Sequence, residues 1–225
     1  MTASSEPLLR HVATTVHCRV LVRPAPAPGG SPWLVGFHGY AQTAAVFLEP
    51  LGRAAPPEWL VASVQALHPF YAGRTNAVVA NWMTREDREL AIADNIAYVD
   101  AVLDDLERGF GASRAIVFAG FSQGVAMAYR AGVRGRRPAA AIVSAGGDVP
   151  PELCVPGPMD WPVVLAATGS RDEAYSPTRL ERDAAFLRTR SHDVRVRVFD
   201  GGHEWAEDVV AATRTLLTGI AATIA

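Results

Sequence analysis

The sequence predicts an α/β fold in which helices cover both faces of a mostly parallel sheet. The first observation is that short apolar runs alternate with amphipathic segments along the chain, the pattern of repeated strand–helix–strand units. The second is that glycine and polar residues directly follow several of these apolar runs. Because the carboxyl ends of parallel strands meet at one edge of a sheet, such residues predict a site there. With 225 residues, 49% of them hydrophobic, the chain suits one domain over residues 1–225.

The predicted elements follow this alternation from the first strand to the last helix. Apolar or β-branched runs predict the strands: 8–12, 16–22, 33–37, 59–64, 115–119, 139–145, 162–167 and 194–199. Amphipathic spacing predicts the helices: 43–54, 86–108, a segment that begins at 125, 178–190 and 204–220. Proline, glycine or polar and aromatic residues predict the longer loops: 24–32, 65–83 and 146–161.

Three of these segments carry a more specific expectation. Strands 8–12 and 16–22 are expected to pair as a hairpin at the sheet edge. Residues 84–87 have the spacing of a capping box for helix 86–108. Strand 194–199 alternates apolar residues with arginine, which predicts a strand near the sheet edge with one solvated face.

A serine framed by glycines stands between strand 115–119 and the helix that follows. Residues 120–124 are Gly-Phe-Ser-Gln-Gly, the G-x-S-x-G pattern in the strand–helix context of a nucleophile elbow. Such an elbow is a sharp, strained turn that exposes the serine hydroxyl above the sheet edge. The N-terminus of the next helix favours negative charge that develops there. Ser122 is therefore the predicted nucleophile, and a buried turn serine is the structural alternative.

An aspartate and a histidine follow two later strands. Asp172 comes after strand 162–167 and His203 after strand 194–199, so the chain order is serine, aspartate, histidine, as in α/β-hydrolases. His203 is predicted to take the proton of Ser122 and pass it to the leaving group, while Asp172 orients the imidazole. Other carboxylates near predicted strand ends remain alternatives to Asp172: Asp148, Glu173 and Asp200.

Two backbone N–H groups are predicted to bind the oxyanion of a tetrahedral intermediate. One belongs to Gln123, which directly follows the nucleophile. The other lies in the loop after strand 33–37, and it is assigned to Tyr40 with Ala41 as the alternative. The neighbouring His38 is expected to brace this loop rather than to act as a second base.

These residues resemble the phospholipase/carboxylesterase family from about Trp33 to the C-terminus. The resemblance rests on four short matches: His38-Gly39, residues 120–124, Gly169 with Asp172, and Gly202-His203. Two positions depart from the family pattern: Val125 replaces a glycine, and Ala41-Gln42 stands where the family usually has glycine and aspartate.

The resemblance implies a compact α/β-hydrolase fold with no large cap domain. It also implies a serine esterase for small to medium acyl esters, similar to carboxylesterases and lysophospholipases. Such an enzyme forms an acyl-enzyme intermediate and is expected to need no metal and no organic cofactor. A thioesterase or small peptidase with the same triad, acyl transfer to another acceptor, and a non-catalytic α/β-hydrolase that binds a ligand remain alternatives.

The aromatic loop 65–83 carries a further hypothesis. Loop position and the family resemblance suggest that Trp82 and Met83 contact the substrate, because acyl pockets are mostly apolar. Ordinary core packing beneath a long connection is the alternative interpretation of both residues.

Composition restricts the partners. A formal net charge of −2 and a pI near 6.3 provide no basic surface for nucleic acid. No apolar run reaches the ~18 residues of a membrane span, and residues 1–7 lack the regions of a signal peptide. Cys18 and Cys154 match no metal or redox spacing, and residue 207 is glutamate, so an H-E-x-x-H zinc motif is absent. A cytoplasmic enzyme with a small-molecule ester substrate is expected, and a homodimer is left open.

Overall fold

The computed structural model describes residues 7–27, 29–155 and 161–224. The strands are β1 (Val20–Arg23), β2 (Trp33–Phe37), β3 (Leu60–Val64), β4 (His68–Ala72), β5 (Ala77–Asn81), β6 (Ile116–Phe121), β7 (Ala141–Ala145), β8 (Val163–Gly169) and β9 (Val194–Phe199). The α-helices are α1 (Ala44–Ala54), α2 (Arg88–Phe110), α3 (Gln123–Arg134), α4 (Pro177–Leu187) and α5 (Glu207–Ile224). Short 3-10 turns occupy Gly73–Thr75 and Pro151–Leu153.

Seven of the described strands form the central sheet in the order β1-β3-β2-β6-β7-β8-β9. Every neighbouring pair is parallel except β1 and β3. The parallel pairs place the carboxyl ends of β2, β6, β8 and β9 at one edge of the sheet. No large cap domain covers that edge among the described residues, so the predicted α/β-hydrolase fold is confirmed.

Both faces of the sheet are buried, which explains why the central strands are apolar throughout. Along β2, Trp33, Val35 and Phe37 pack on the face covered by α2, α3 and α4. Leu34 packs on the opposite face, which α1 and α5 cover. The edge strand β9 buries its residues less, as its alternating arginines predict.

Three local predictions were wrong, and the bounds of several helices differ from those predicted. Residues 8–12 form no strand, so the predicted N-terminal hairpin is absent, and only β1 pairs at that sheet edge. The predicted loop 65–83 contains the antiparallel hairpin β4–β5. The capping box is also absent: Asp87 has φ 46° and makes no capping bond from its side chain, and α2 begins at Arg88. Among the helices, α2 continues through Phe110 to its C-cap Gly111, α4 ends at Leu187 instead of 190, and α5 begins at Glu207 instead of 204 and ends at Ile224 instead of 220.

Some sequence expectations fall outside the described residues. They concern residues 1–6 of the N-terminal segment, position 28 of the proline-rich loop and positions 156–160 of the loop after β7.

The start of α3 lies directly against the end of β2. A Cβ added at Gly124 would come within 2.0 Å of the carbonyl oxygen of Phe37, which is main chain in the middle of the sheet. Only glycine therefore permits this approach. By contrast, a Cβ at the exposed Gly219 in α5 would meet no atom within 4 Å.

We expect Gly124→Ala and Gly219→Ala to change stability in opposite directions. Overpacking against fixed backbone should cost Gly124→Ala about 3 kcal/mol. The better helix propensity of alanine should stabilise Gly219→Ala by about 0.5–1 kcal/mol. Urea unfolding monitored by circular dichroism measures both changes, and equal effects would contradict the close packing at Gly124.

Candidate active site

Ser122 lies in a strained turn between β6 and α3. Its φ of 52° and ψ of −117° fall outside the regions that side-chain-bearing residues normally occupy. Its N–H donates to the carbonyl of Ala145 at 2.9 Å, which ties the turn to the end of β7. The hydroxyl is left at the carboxyl edge of the sheet beside the first turn of α3. This is the geometry of a nucleophile elbow.

His203 reaches this hydroxyl from the loop after β9. Its Nε2 lies 2.8 Å from Ser122 Oγ, and its ring is 5.0 Å from that of Phe121. Gly146 makes space for the imidazole, because a Cβ there would come within 3.0 Å of Cε1 of His203. The ring is therefore held between β6 and the loop after β7.

Asp172 holds the other side of the imidazole. Its Oδ2 lies 2.8 Å from Nδ1 of His203, and Oδ1 accepts the N–H groups of Ala174 and Tyr175 at 2.9 and 2.8 Å. Burial would raise the pKa of Asp172, but the N–H of Tyr175 and the His203 ring outweigh it, so the pKa is lower than usual. The ionised carboxylate fixes the proton on Nδ1 and leaves Nε2 free to accept the serine proton.

The alternative carboxylates are engaged elsewhere or exposed. Asp148 pairs with the guanidinium of Arg179, and Asp200 pairs with Arg171 at the surface. Glu173 is exposed. The structure thus brings Asp172, and none of these three, to His203.

The loop after β2 contains the two candidate backbone donors for an oxyanion, Tyr40 and Ala41. Gly39 N–H donates to the side chain of Gln42, Ala41 N–H to the carbonyl of Ala80, and Gln42 N–H back to the carbonyl of Gly39. The N–H of Tyr40 has no acceptor among the described residues, and neither has the N–H of Gln123. Of the two candidates, Tyr40 therefore has the free N–H and Ala41 does not. The loop lies against the nucleophile, since a Cβ at Gly39 would come within 3.3 Å of Cβ of Ser122.

Trp82 does not reach the site surface. Its side chain is fully buried, and its indole N–H donates to the carbonyl of His38 at 2.8 Å. The hypothesis of direct substrate contact therefore does not fit the position of Trp82, which supports the loop after β2 instead. Met83 is partly exposed, and its sulfur lies 3.2 Å from Nη1 of Arg130.

Two side chains fix these loops to one another. The Gln123 amide accepts the N–H of Trp82 at 3.0 Å and donates to the carbonyl of Met83 at 2.9 Å. The buried His38 accepts the N–H of Ala66 at Nε2 and donates from Nδ1 to the carbonyl of Gly39. Burial lowers the pKa of His38, and its hydrogen bond to Gly39 offsets only part of this. His38 is thus a neutral brace for the loop.

The comparisons with known proteins agree with this geometry. A family model described as phospholipase/carboxylesterase matches residues 78–219, more than half of the chain, including Ser122, Asp172 and His203. The chain belongs to the phospholipase/carboxylesterase family. It is thereby an α/β-hydrolase of the carboxylesterase and thioesterase type. The search of curated proteins returned no match.

Solved structures share the fold over nearly the whole chain. Esterase PE8 has a TM-score of 0.71 at 23% identity, covering 91% of this chain and all of its own. The carboxylesterase of Bacillus cereus has a TM-score of 0.70 at 18% identity, covering 90% of this chain and 94% of its own. Acyl-protein thioesterase 2 of Zea mays has a TM-score of 0.70 at 14% identity, covering 93% of this chain and 100% of its own. At these identities the likeness concerns the fold.

Beside the serine of this family member lies a cleft of about 340 Å³. Ser122, Gln123 and His203 line one part of it, and its other walls include Asp148 and three arginines, Arg88, Arg130 and Arg179. This wall is more polar than that of an ordinary acyl pocket. The sequence analysis did not predict these arginines at the site. One signal was available: Arg130 follows Gln123 by seven residues, about two helical turns, which places both residues on the same face of the helix.

The described residues contain neither a membrane-spanning helix nor a cluster of metal-ligating side chains. None of their helices combines the length and the apolar character that crossing a bilayer requires. They also contain no group of three or more histidine, cysteine, aspartate or glutamate side chains arranged to hold a metal ion.

Glu152 neutralises part of the arginine wall. It accepts Nε of Arg130 and Nη2 of Arg88, each at 2.7 Å. Burial would raise the pKa of Glu152, but these two hydrogen bonds outweigh it and lower the pKa to about 2 from its ordinary value of 4.5. Because the folded-state pKa is the lower one, ionised Glu152 stabilises the fold above pH 4.5, and this contribution is lost as the pH falls towards 2.

We expect Glu152→Gln to lower the free energy of unfolding at pH 7 by on the order of 2 kcal/mol. The difference from wild type should narrow when urea unfolding is repeated between pH 4.5 and 3. As a control, Glu89→Gln removes a carboxylate that is 81% exposed and whose only partner in the described part of the chain is Arg88. It should change stability by less than about 0.5 kcal/mol. If the difference in free energy of unfolding between Glu152→Gln and wild type did not change with pH, the cause would be lost packing instead of lost charge.

Proposed function

We propose that the protein, acting as a single domain over residues 1–225, is a serine hydrolase for carboxylic esters of small to medium acyl groups. The observation that supports this best is the continuous hydrogen-bonded series from Ser122 through His203 to Asp172, with both links at 2.8 Å. Serine needs an adjacent base to become a nucleophile at neutral pH, and here the base is itself oriented by a buried carboxylate.

The geometry supports a two-step mechanism. His203 Nε2 takes the proton of Ser122 as Oγ attacks the ester carbonyl, and Asp172 stabilises the resulting imidazolium. The N–H groups of Tyr40 and Gln123 would donate to the oxyanion, and each such donor contributes about 2.7–4 kcal/mol to the transition state. The C–O bond then breaks, the alcohol leaves with the proton from His203, and a water molecule releases the acid by the same steps.

Thioesters are the second candidate substrates. The attack on their carbonyl needs the same groups, and the side chain of His203, which would protonate the leaving group, is 32% exposed. Matched oxygen and sulfur esters of one acyl chain separate the two, because only the leaving atom differs. A small peptide substrate and transfer of the acyl group to added alcohols or amines belong in the same panel.

Covalent labelling tests the nucleophile. We expect intact-mass analysis after fluorophosphonate treatment to find one adduct on wild type and none on Ser122→Ala. Ser170→Ala serves as the matched control, since Ser170 is an exposed serine at the same sheet edge, and it should label like wild type. A folded wild-type protein without an adduct would favour a non-catalytic binding protein.

Substitution of two aspartates at the same sheet edge tests which carboxylate orients His203. We expect Asp172→Asn to lower kcat by on the order of 10⁴-fold, because the amide cannot hold the correct imidazole tautomer. Asp200→Asn, which alters only surface contacts with Arg171 and the hydroxyl of Ser170, should retain kcat within about twofold. A loss of less than tenfold for Asp172→Asn would redirect the assignment to Asp148 or Glu173.

A further inference from the structure

The cleft beside Ser122 contains a guanidinium with unused donors. Arg130 lies on α3 and its side chain is only 3% exposed, yet it lines the cleft. Its Nε donates to Glu152 at 2.7 Å, and its Nη1 lies 3.2 Å from the weakly accepting sulfur of Met83. Nη2 has no hydrogen-bond partner among the described residues. It is also not one of the buried, unpaired side-chain atoms of those residues, so it is accessible from outside. Its two N–H groups are therefore available to a molecule in the cleft.

The charges around this guanidinium do not cancel. Arg88 and Arg130 share the single carboxylate of Glu152, which the low pKa keeps ionised. Arg88 also contacts Glu89, but that carboxylate is 81% exposed and its charge is well screened. The remaining pair in the wall, Arg179 and Asp148, is bidentate and neutral together. One positive charge is left over on the side of the cleft that α3 and α2 form.

The same helix face carries this charge and the reacting group. Gln123, Ala126 and Arg130 all line the cleft, at helical spacings of three and four residues. Seven residues of helix span about 10 Å, and the long side chain of Arg130 leans back towards the N-terminus of α3. A small molecule in the cleft of about 340 Å³ can therefore reach Ser122 at one end and Arg130 at the other.

We propose that this cleft selects esters that carry an anionic group, a carboxylate or a phosphate, at the end remote from the scissile bond. Nη2 of Arg130 binds that group, and Arg88 adds positive charge beside it. Arginine suits this task because its planar N–H groups match the oxygens of carboxylates and phosphates. The inference rests on the proposed ester hydrolysis at Ser122: water cleaves the ester bond, and the anionic group is unchanged.

Matched substrate pairs test the proposal. The phenyl monoester of adipic acid is compared with phenyl 6-methylheptanoate, in which an isopropyl group replaces the carboxylate. A second pair carries the charge on the alcohol: 2-phosphoethyl acetate against 3-methylbutyl acetate. In at least one pair, wild type should have a kcat/KM at least tenfold higher for the charged ester, as expected for one charge-assisted hydrogen bond. The pair that responds identifies the anion and the part of the ester that occupies the cleft.

Variants then assign the preference to its residue. We expect Arg130→Gln to reduce the charged-to-neutral ratio by tenfold or more and Arg88→Gln by about threefold. Arg108→Gln is the control, because Arg108 is on the same helix as Arg88, about 30 Å along its axis, and forms an exposed pair with Asp105. It should leave the ratio unchanged. The ratio is taken on one protein sample, so partial unfolding lowers both rates and cancels.

A measurement on wild type covers the case in which Arg130→Gln does not fold. Free adipate should competitively inhibit hydrolysis of the neutral ester, and adipamide, which has the same chain length and no charge, should inhibit at least tenfold more weakly. Neutral esters hydrolysed as fast as charged ones in both pairs, or a ratio insensitive to Arg130→Gln, would overturn this inference and leave the hydrolase proposal standing. No hydrolysis of any ester together with no fluorophosphonate adduct would overturn the proposed function itself.

Discussion

The candidate site depends on one close backbone contact, between the start of α3 and the end of β2. Gly124 lies so near the carbonyl of Phe37 that no side chain fits between them. This contact sets the height of the Ser122 turn above the sheet. It also places the loop after β2, which carries the free N–H of Tyr40, against the start of α3, which carries the free N–H of Gln123. The strained backbone conformation of Ser122 costs about 1–3 kcal/mol and persists only when the surrounding structure fixes it. Here the surroundings are the central, fully buried strands.

A polar network carries this constraint outward from the sheet. The Gln123 side chain holds the main chain of Trp82 and Met83, and the Trp82 indole holds the carbonyl of His38. Asn95 of α2 donates in turn to the carbonyl of Trp82 at 2.9 Å. Because these bonds join the loops after β2, β5 and β6, a shift in one loop moves the others. Buried hydrogen bonds are costly to leave unmade, so the network keeps both unused donors in place.

The sequence predicted the parallel sheet and the convergence of its strand ends well, because both follow from local pattern. Apolar runs such as 33–37 and 194–199 match the observed strands residue for residue.

The pairing of strands does not follow from local pattern. Residues 8–12 have strand composition, but they do not pair with the outer edge of β1, where the predicted hairpin would have formed. The hairpin β4–β5 forms in a stretch whose composition predicts a loop, and it is tied to the loop after β2 by the bridge between Gln42 and Ala80. The positions of Trp82 and Arg130 depend on such tertiary contacts. The sequence therefore left the core position of Trp82 as one of two alternatives and gave no prediction for Arg130.

The position of Arg130 matters because burying a guanidinium is unfavourable unless its charge and donors are met. Glu152 meets one donor and part of the charge, and burial lowers the pKa of Arg130 without removing its proton. An apolar residue at the same place on α3 would pack against the core at less cost. The charge is instead held about two helical turns from the nucleophile, on the rigid element that also supplies Gln123. Because one rigid helix holds both this charge and the start of the nucleophile turn, a ligand that binds to Arg130 is also aligned with Ser122. Binding of the anionic group therefore orients the reacting carbonyl at the same time.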